Sequence, residues 1–191
     1  GMAYGVSSTT FLLSIGIPPV IASASVHTAE LFVSGISGLS HLKFGNVDGK
    51  LFKRLFISGV MGGILGAYIL TAVPGKTIKP FVGIYLFIMG LVILRKALKT
   101  MKEKRVETNL FPLGAMDGFF DAIGGGGWGP VVTSTLVARG NNPRFAIGSV
   151  NLTEFFVTVA EAATFFAMVG LVQWQIIAGL VTGGVLAAPL A

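Results

Sequence analysis

The sequence predicts an all-α, polytopic integral membrane protein made of two repeated four-helix units, each with a broken or re-entrant first helix. Of the 191 residues, 53% are hydrophobic and 12% are charged, which is more apolar than a water-soluble domain of this length normally is. Several apolar segments have the length of a membrane span. The chain also aligns with itself over most of its length. Together these observations exclude an ordinary soluble fold.

Four segments are close to the roughly 20 residues that a helix needs to cross about 30 Å of hydrocarbon. They are residues 20–42, 55–73, 80–94 and 172–191. Residues 55–73 contain no charge, which disfavours a buried helix of a soluble protein. Strands of a membrane barrel would alternate in polarity, and these segments do not. We therefore expect an integral membrane protein, with the lipid bilayer as its surroundings.

Charge and cysteine content exclude other classes. The net charge of +6 comes from basic residues in short loops, where the positive-inside rule explains them, so nucleic acid is not an expected partner. The absence of cysteine excludes disulfides and thiolate metal sites. The glycine run at residues 124–127 lacks the Gly-Lys-Ser/Thr ending of a phosphate-binding loop and the preceding strand of a dinucleotide site. No cofactor is expected.

The internal repeat is an alignment of the chain with itself at an offset of 124 positions, as from Gly5 to Gly129. The same offset pairs Thr9 with Thr133 and Glu30 with Glu154. Such duplication is typical of secondary transporters. We divide the chain into a first transmembrane repeat at residues 1–98, a basic cytoplasmic linker at 99–109 and a second repeat at 110–191.

The two repeats are predicted to be incomplete. Gly1 corresponds to Gly125, so the first repeat lacks a counterpart of residues 110–124, and the second repeat lacks its last helix. Because compact duplicated transporters keep both halves whole, we interpret the chain as a piece of a protein of about 240 residues, truncated at both ends.

The segment "GGGGWGP" at residues 124–130 predicts a helix break at membrane depth. If the chain crosses once through this break, Arg139 and Arg144 lie outside, the 14 cations divide ten to four, and the repeats are parallel. If the chain dips in and returns, the division is twelve to two and the repeats are inverted. The charge rule favours the re-entrant version, and both stay open.

A half-helix rich in Ser and Thr follows the break and has a counterpart at the start of the chain. Its first amides, its positive dipole end and its hydroxyls are suited to an anion. The predicted substrate-binding residues are Ser7, Ser8, Thr9, Thr10, Gly125, Gly126, Gly127, Trp128, Thr133, Ser134, Thr135 and Asn151.

Ionisable residues within spans are costly and are therefore functional candidates. His27, Glu30, Ser34, Ser37 and His41 recur every three or four residues and so share one helix face. The offset maps them to Asn151, Glu154, Thr158, Glu161 and Phe165. Asp117 and Asp121 precede the glycines. The predicted proton-coupling residues are Glu30, Glu154, His27 and Glu161; the alternative is that these side chains only hold the bundle together.

Three stretches give the sequence a family resemblance: "GMAYGVSSTTFLLSIGIPPVIASASVHTAE", "SHLKFGNVD" and "GFFDAIGGGGWGPVVTSTLVARGNNPRFAIGSVNLTEFF". They resemble the TauE/SafE family of sulfite and organosulfur-anion exporters. The resemblance implies an inner-membrane permease of two four-helix repeats that moves small anions, often sulfite or a sulfonate, coupled to protons. The sequence departs from the family pattern in "MAYGVSST", where many members carry consecutive glycines, and at His27.

The predicted function is secondary active transport of a small anion such as sulfite or an organosulfonate, with protons as the coupling ion, and not enzymatic catalysis. One alternative is an intramembrane metalloenzyme with His27, Glu30 and His41 as ligands. The repeat argues against it, because Asn151 and Phe165 replace the two histidines. The other alternative is a passive anion channel. The sequence leaves open the anion, the direction of transport and the oligomeric state, including a homo-oligomer.

Overall fold

The computed structural model describes residues 4–98, 109–170 and 173–187, and these residues are helical apart from short turns. The helices are α1 (Tyr4–Ser14), α2 (Pro19–Lys43), α3 (Gly49–Ala72), α4 (Gly75–Leu98), α5 (Leu110–Gly124), α6 (Trp128–Ala138), α7 (Pro143–Val169) and α8 (Trp174–Ala187). The all-α prediction is confirmed for the described part of the chain. Most of the predicted basic linker, residues 99–108, lies outside the described residues.

Four of these helices are long and apolar enough to cross a membrane by length and composition: α2, α3, α4 as far as Arg95, and α7. The first three correspond to predicted spans. Helix α4 begins at Gly75 and not at residue 80, so the "GKTIK" segment forms its first turns instead of a loop. The described part of the predicted span at 172–191 is α8, which has 14 residues.

Large apolar side chains cover the outside of the bundle. Ile36 is 64% exposed, Phe87 is 68% exposed and Met116 is 62% exposed. Exposed apolar area on this scale is typical of a surface that contacts lipid and not water. The buried side chains include His27, Glu30, Asp121 and Glu161, so ionisable groups lie at the centre of the bundle.

Helices α3 and α5 run parallel in close contact. The backbone of Gly62 faces Ala115 and that of Gly66 faces Phe119, so the residue numbers rise together along the pair. A Cβ added to Gly62 would overlap the carbonyl group of Ala115, and one added to Gly66 would overlap the carbonyl group of Phe119. Small residues permit this approach in membrane helices. The glycines of "SGVMGGILG", residues 58–66, thus allow close packing of α3 against α5.

Helix α6 runs back and ends on the side of the bundle where α5 begins. Leu136, near the end of α6, packs in one buried cluster with Leu55 near the start of α3 and Leu110 at the start of α5. Beyond α6, the Arg144 guanidinium donates to the carbonyl of Phe44 at 3.1 Å, in the turn that joins α2 to α3. The segment is therefore re-entrant. With a rise of about 1.5 Å per residue, α5 advances roughly 22 Å, less than the hydrocarbon thickness.

Helices α2 and α7, which the 124-residue offset aligns, run in opposite directions. Gly38 of α2 faces Leu152 of α7, while His27 of α2 faces Glu161 of α7. One residue number falls as the other rises. When equivalent helices of two repeats run antiparallel, the repeats are inverted. In the inverted topology, Arg139 and Arg144 lie on the same side of the membrane as Lys43, Lys50, Lys53 and Arg54.

Candidate functional site

The centre of the site is the turn between α5 and α6. Gly125, Gly126 and Gly127 have φ values of 66°, 138° and 142°, a region that L residues rarely enter. Helix α5 ends at Gly124 and α6 begins at Trp128. The sequence prediction of a helix break at these glycines is confirmed. All of these residues are buried, so the irregular backbone is enclosed by protein, as membrane depth requires.

Asp121 holds this turn together through both its carbonyl and its carboxylate. Its carbonyl accepts hydrogen bonds from the amides of Gly125 and Gly126, the latter at 3.1 Å. Its carboxylate Oδ1 accepts from the amide of Trp128 at 2.9 Å. The first amide of α6 was predicted to bind an anion, but here it donates to a carboxylate of the same chain.

The start of α1 packs directly on the turn. The Thr9 hydroxyl donates to the carbonyl of Gly125 at 3.0 Å. A Cβ added to Gly5 would lie 2.7 Å from Cα of Gly126 and 2.5 Å from the Glu30 carboxylate. The first turns of α1 therefore meet the interrupted segment of the second repeat, with a carboxylate at the junction.

A buried ionisable cluster lies next to this junction. Nδ1 of His27 is 3.2 Å from Oε2 of Glu161 and 3.3 Å from Oε2 of Glu30. Nε2 of the same ring is 3.2 Å from the carbonyl oxygen of Asp121. His27 and Glu161 are 0% exposed, and Glu30 is 8% exposed. Phe165 stacks on the imidazole at 5.9 Å between ring centroids. Three helices thus meet at one imidazole.

The other predicted proton and metal residues take different places. Glu154 is half-buried on α7 and does not contact His27. His41 lies near the end of α2, where its Nδ1 is 3.3 Å from the Asn46 amide nitrogen. Fourteen residues of helix, about 21 Å, separate the two histidines. The ligand set His27, Glu30 and His41 is therefore not assembled.

Some of the predicted anion-binding residues already use their polar groups in hydrogen bonds within the protein, and others do not. The hydroxyls of Thr10 and Ser134 donate to carbonyls of their own helices, those of Val6 and Pro130. Ser7 is exposed, Ser8 and Thr135 are half-buried, and Asn151 joins α7 to α2 through Ser37. Within the described residues, the buried Thr133 hydroxyl and the Trp128 indole nitrogen have no hydrogen-bond partner. Both groups can donate to a ligand.

The spacing of three side chains would also admit a cation, since one ligand atom from each of His27, Asp121 and Glu161 lies within 4.8 Å of the others. The chemistry of the donors fits a proton better. Asp121 already accepts the Trp128 amide and anchors the turn. One oxygen of each of two glutamates lies at ion-pair distance from the ring nitrogen, 3.2 Å for Glu161 and 3.3 Å for Glu30, an arrangement that a shared proton stabilises.

Two tyrosines and one glycine near the site are not among the predicted site residues. The Tyr85 hydroxyl of α4 lies 3.5 Å from the carbonyl of Gly126, and the Tyr4 hydroxyl donates to the carbonyl of Leu180 at 2.7 Å. Gly63 of α3 leaves room for Glu161: an added Cβ would lie 2.7 Å from Oε1. A tyrosine in the otherwise apolar α4 was the available signal for Tyr85. Nothing in the sequence distinguished Gly63 from the other packing glycines.

The fold and the site together define a class: a polytopic helical membrane protein with a re-entrant glycine turn beside a buried ionisable cluster. The family described as sulfite exporter TauE/SafE matches residues 1–191. The chain belongs to the TauE/SafE family. The resemblance stated from the sequence is confirmed, as is its assignment to a bacterial cell membrane.

Two curated relatives have similar sequences. The chain is 44% identical over 201 residues to "Probable membrane transporter protein YtnM" of Bacillus subtilis (strain 168), with 100% of this chain and 67% of the relative covered. It is 28% identical over 170 residues to "Probable membrane transporter protein ORF9" of a Sinorhizobium species, covering 87% of this chain and 60% of the relative. The chain thus spans about two thirds of their length. No solved structure matches it significantly.

Proposed function

We propose that the protein is a secondary transporter that moves a small oxyanion, such as sulfite or an organosulfonate, in exchange with or together with protons. The observation that carries the proposal is the contact of the α1 start with the re-entrant glycine turn next to buried carboxylates. Membership of the sulfite exporter TauE/SafE family supports the substrate class. The names of both relatives support a transport role.

The anion would bind between the first turns of α1 and α6. Trp128 and Thr133 supply donors that have no partner among the described residues, and α6 adds the positive end of its dipole. Thr9 fixes the glycine turn against α1. Neutral hydrogen-bond donors suit an anion that must bind and then dissociate in each transport cycle.

Protons would enter through the carboxylates beside this site. Glu30 lies at the junction and Glu154 occupies the equivalent position of the second repeat. Ionisable residues at membrane depth that face the interior of a bundle are typical of proton relays. Alternate protonation of such a carboxylate would link movement of the anion to a proton gradient.

Flux in proteoliposomes tests the proposal. Radiolabelled sulfite or a sulfonate is followed after a pH gradient is imposed, and we expect gradient-driven accumulation by the wild-type protein. Thr133→Val, which keeps the shape and removes the hydroxyl, should weaken anion affinity. Thr182→Val on the exposed side of α8 is the matched control. Unchanged coupled flux in both Glu30→Gln and Glu154→Gln would exclude coupling through these two carboxylates.

Two other outcomes correspond to the alternative functions. A passive anion channel would conduct down the anion gradient with no response to an imposed pH gradient. An intramembrane metalloenzyme would contain stoichiometric metal after purification, which elemental analysis measures.

A further inference from the structure

The contact between His27 and Glu161 has a counterpart elsewhere in the molecule. The 124-residue offset maps His27 to Asn151 and Ser37 to Glu161. Because α2 and α7 run antiparallel, the counterpart of the contact between His27 and Glu161 is a contact between Asn151 and Ser37. It is present: the Ser37 hydroxyl donates to Oδ1 of Asn151 at 3.3 Å. One contact is ionisable and its counterpart is neutral.

Hydrogen-bond chemistry at the ionisable contact requires a proton. Nε2 of His27 faces the carbonyl of Asp121, which can only accept, so Nε2 carries a hydrogen. Nδ1 would then offer a lone pair to two carboxylate oxygens at 3.2 and 3.3 Å. Nδ1 and the Glu161 oxygens form no aligned hydrogen bond, so these short contacts are those of an ion pair, which is favourable only if a proton is present among the three groups. The proton resides on Nδ1 or on one of the two glutamates.

We propose that the coupled proton is taken up at a single centre formed by His27, Glu30 and Glu161, and that the Ser37 and Asn151 contact of the inverted half provides no second one. The inference rests on the proposed function and specifies its coupling site. His27 is the positioning residue that joins the two glutamates. On loading, one carboxylate of the centre accepts a proton, and it releases that proton when the centre faces the other side.

The centre is connected to the anion site through Asp121. The ring of His27 contacts the same carbonyl that accepts the amides of Gly125 and Gly126. The Asp121 carboxylate holds the first amide of α6. A change in the protonation of the cluster therefore acts on both ends of the glycine turn, where we place the anion.

The other charged and titratable groups near the centre come from four helices. Tyr4 of α1 interacts electrostatically with Glu30, and Tyr85 of α4 interacts with Asp121, Asp117 and Glu161. Glu154 of α7 lies within electrostatic range of Glu30 and His27, but the ion pairs that His27 forms among the described residues are with Glu30 and Glu161. The carboxylate oxygens that lie 3.2 and 3.3 Å from the ring nitrogen are those of Glu161 and Glu30.

The inverted half provides the design of the test. The double variant His27→Asn with Glu161→Ser replaces the ionisable contact by an Asn–Ser pair. The fold already accommodates such a pair, between Asn151 and Ser37. Ser37→Ala, which alters the counterpart, is the matched control. Gradient-driven accumulation of labelled anion and anion exchange at equal pH on both sides are measured in proteoliposomes, together with elution volume and thermal unfolding in detergent.

We expect the double variant to retain exchange at equal pH and to lose gradient-driven accumulation, while Ser37→Ala keeps both. Full gradient-driven accumulation by a folded double variant would overturn the single centre and leave the transport function standing. Failure of the wild-type protein to accumulate anion would instead contradict the proposed function. If that double variant does not fold, Glu30→Gln combined with Glu161→Gln gives the same decision, because both side chains keep their shape and neither can ionise. Stoichiometric metal in the wild-type protein that is lost in Glu161→Gln would replace the proton with a metal cation.

Discussion

The carboxylate of Asp121 accepts a 2.9 Å hydrogen bond from the backbone amide of Trp128, across the glycine turn that separates α5 from α6. The side chain of one helix thereby caps the start of the next. Asp121 is 2% exposed, so neither partner could turn to water if the other were removed. The bond explains how a run of four glycines adopts one conformation at the centre of the bundle.

Replacement of this carboxylate is expected to destabilise the protein. In Asp121→Ala the Trp128 amide is left buried without an acceptor, which costs about 1–3 kcal/mol. For a chain of this size each kcal/mol lowers the melting temperature by about 2–4 °C. Asp121→Asn keeps an oxygen acceptor and should lose less. Thermal unfolding in detergent measures both, and equal stability of Asp121→Ala and wild type would show that the cap contributes nothing.

Substitution of Gly126 is expected to disrupt the junction with α1. Its φ of 138° disfavours any L residue, and a Cβ there would lie 2.5 Å from Cα of Gly5, a backbone atom that cannot rotate away. Backbone strain of this kind costs on the order of 1–3 kcal/mol. Gly126→Ala should therefore lower both thermal stability and anion flux.

Gly83→Ala is the matched control for that variant, since an added Cβ on this α4 glycine meets nothing within 4 Å. Alanine in a helix interior is favoured over glycine by about 0.5–1 kcal/mol. The control should be as stable as wild type or more so. Wild-type flux and stability in Gly126→Ala would mean that α1 and the turn do not depend on close approach.

The sequence predicted the parts of this fold that follow from composition and local chemistry. Three spans, the break at Gly124–Gly127 and the stripe from His27 to His41 were visible because apolar runs, glycine runs and helical spacing are local signals. The span α7 was less apparent, because Asn151, Glu154 and Glu161 lower its hydropathy. The start of α4 was placed too late because Lys76 and Lys79 suggested a loop.

The arrangement of the site depended on contacts that no local pattern encodes. The repeat made Glu30 and Glu154 equivalent, yet Glu30 contacts His27 and Glu154 does not, because the histidine exists in one repeat. The role of Asp121 requires the turn to fold back over its own helix. Charge counting favoured the re-entrant topology, and the parallel course of α3 and α5 with the return of α6 agrees with it.

Gly63 is expected to set the position of Glu161. A Cβ at this residue would lie 2.7 Å from Oε1 and 2.8 Å from Cγ of that side chain, which is flexible enough to move. Gly63→Ala should therefore displace the carboxylate from His27 with little loss of stability. We expect reduced gradient-driven flux with near-normal exchange at equal pH. Gly90→Ala on α4, where an added Cβ meets nothing, is the control. Normal coupling in Gly63→Ala would indicate that the exact position of Glu161 does not matter.

The re-entrant course of α5 and α6 predicts which loops share a side of the membrane. The chain contains no cysteine, so single cysteines report their own accessibility without a background. Asn142→Cys lies between α6 and α7, Lys50→Cys lies at the start of α3, and Lys76→Cys lies at the start of α4; all three positions are exposed. With a membrane-impermeant maleimide, Asn142→Cys and Lys50→Cys should react from the same side, which the positive-inside rule assigns to the cytoplasm. Lys76→Cys should react from the opposite side. Labelling of Asn142→Cys together with Lys76→Cys would mean that the segment crosses the membrane once and that the repeats are parallel.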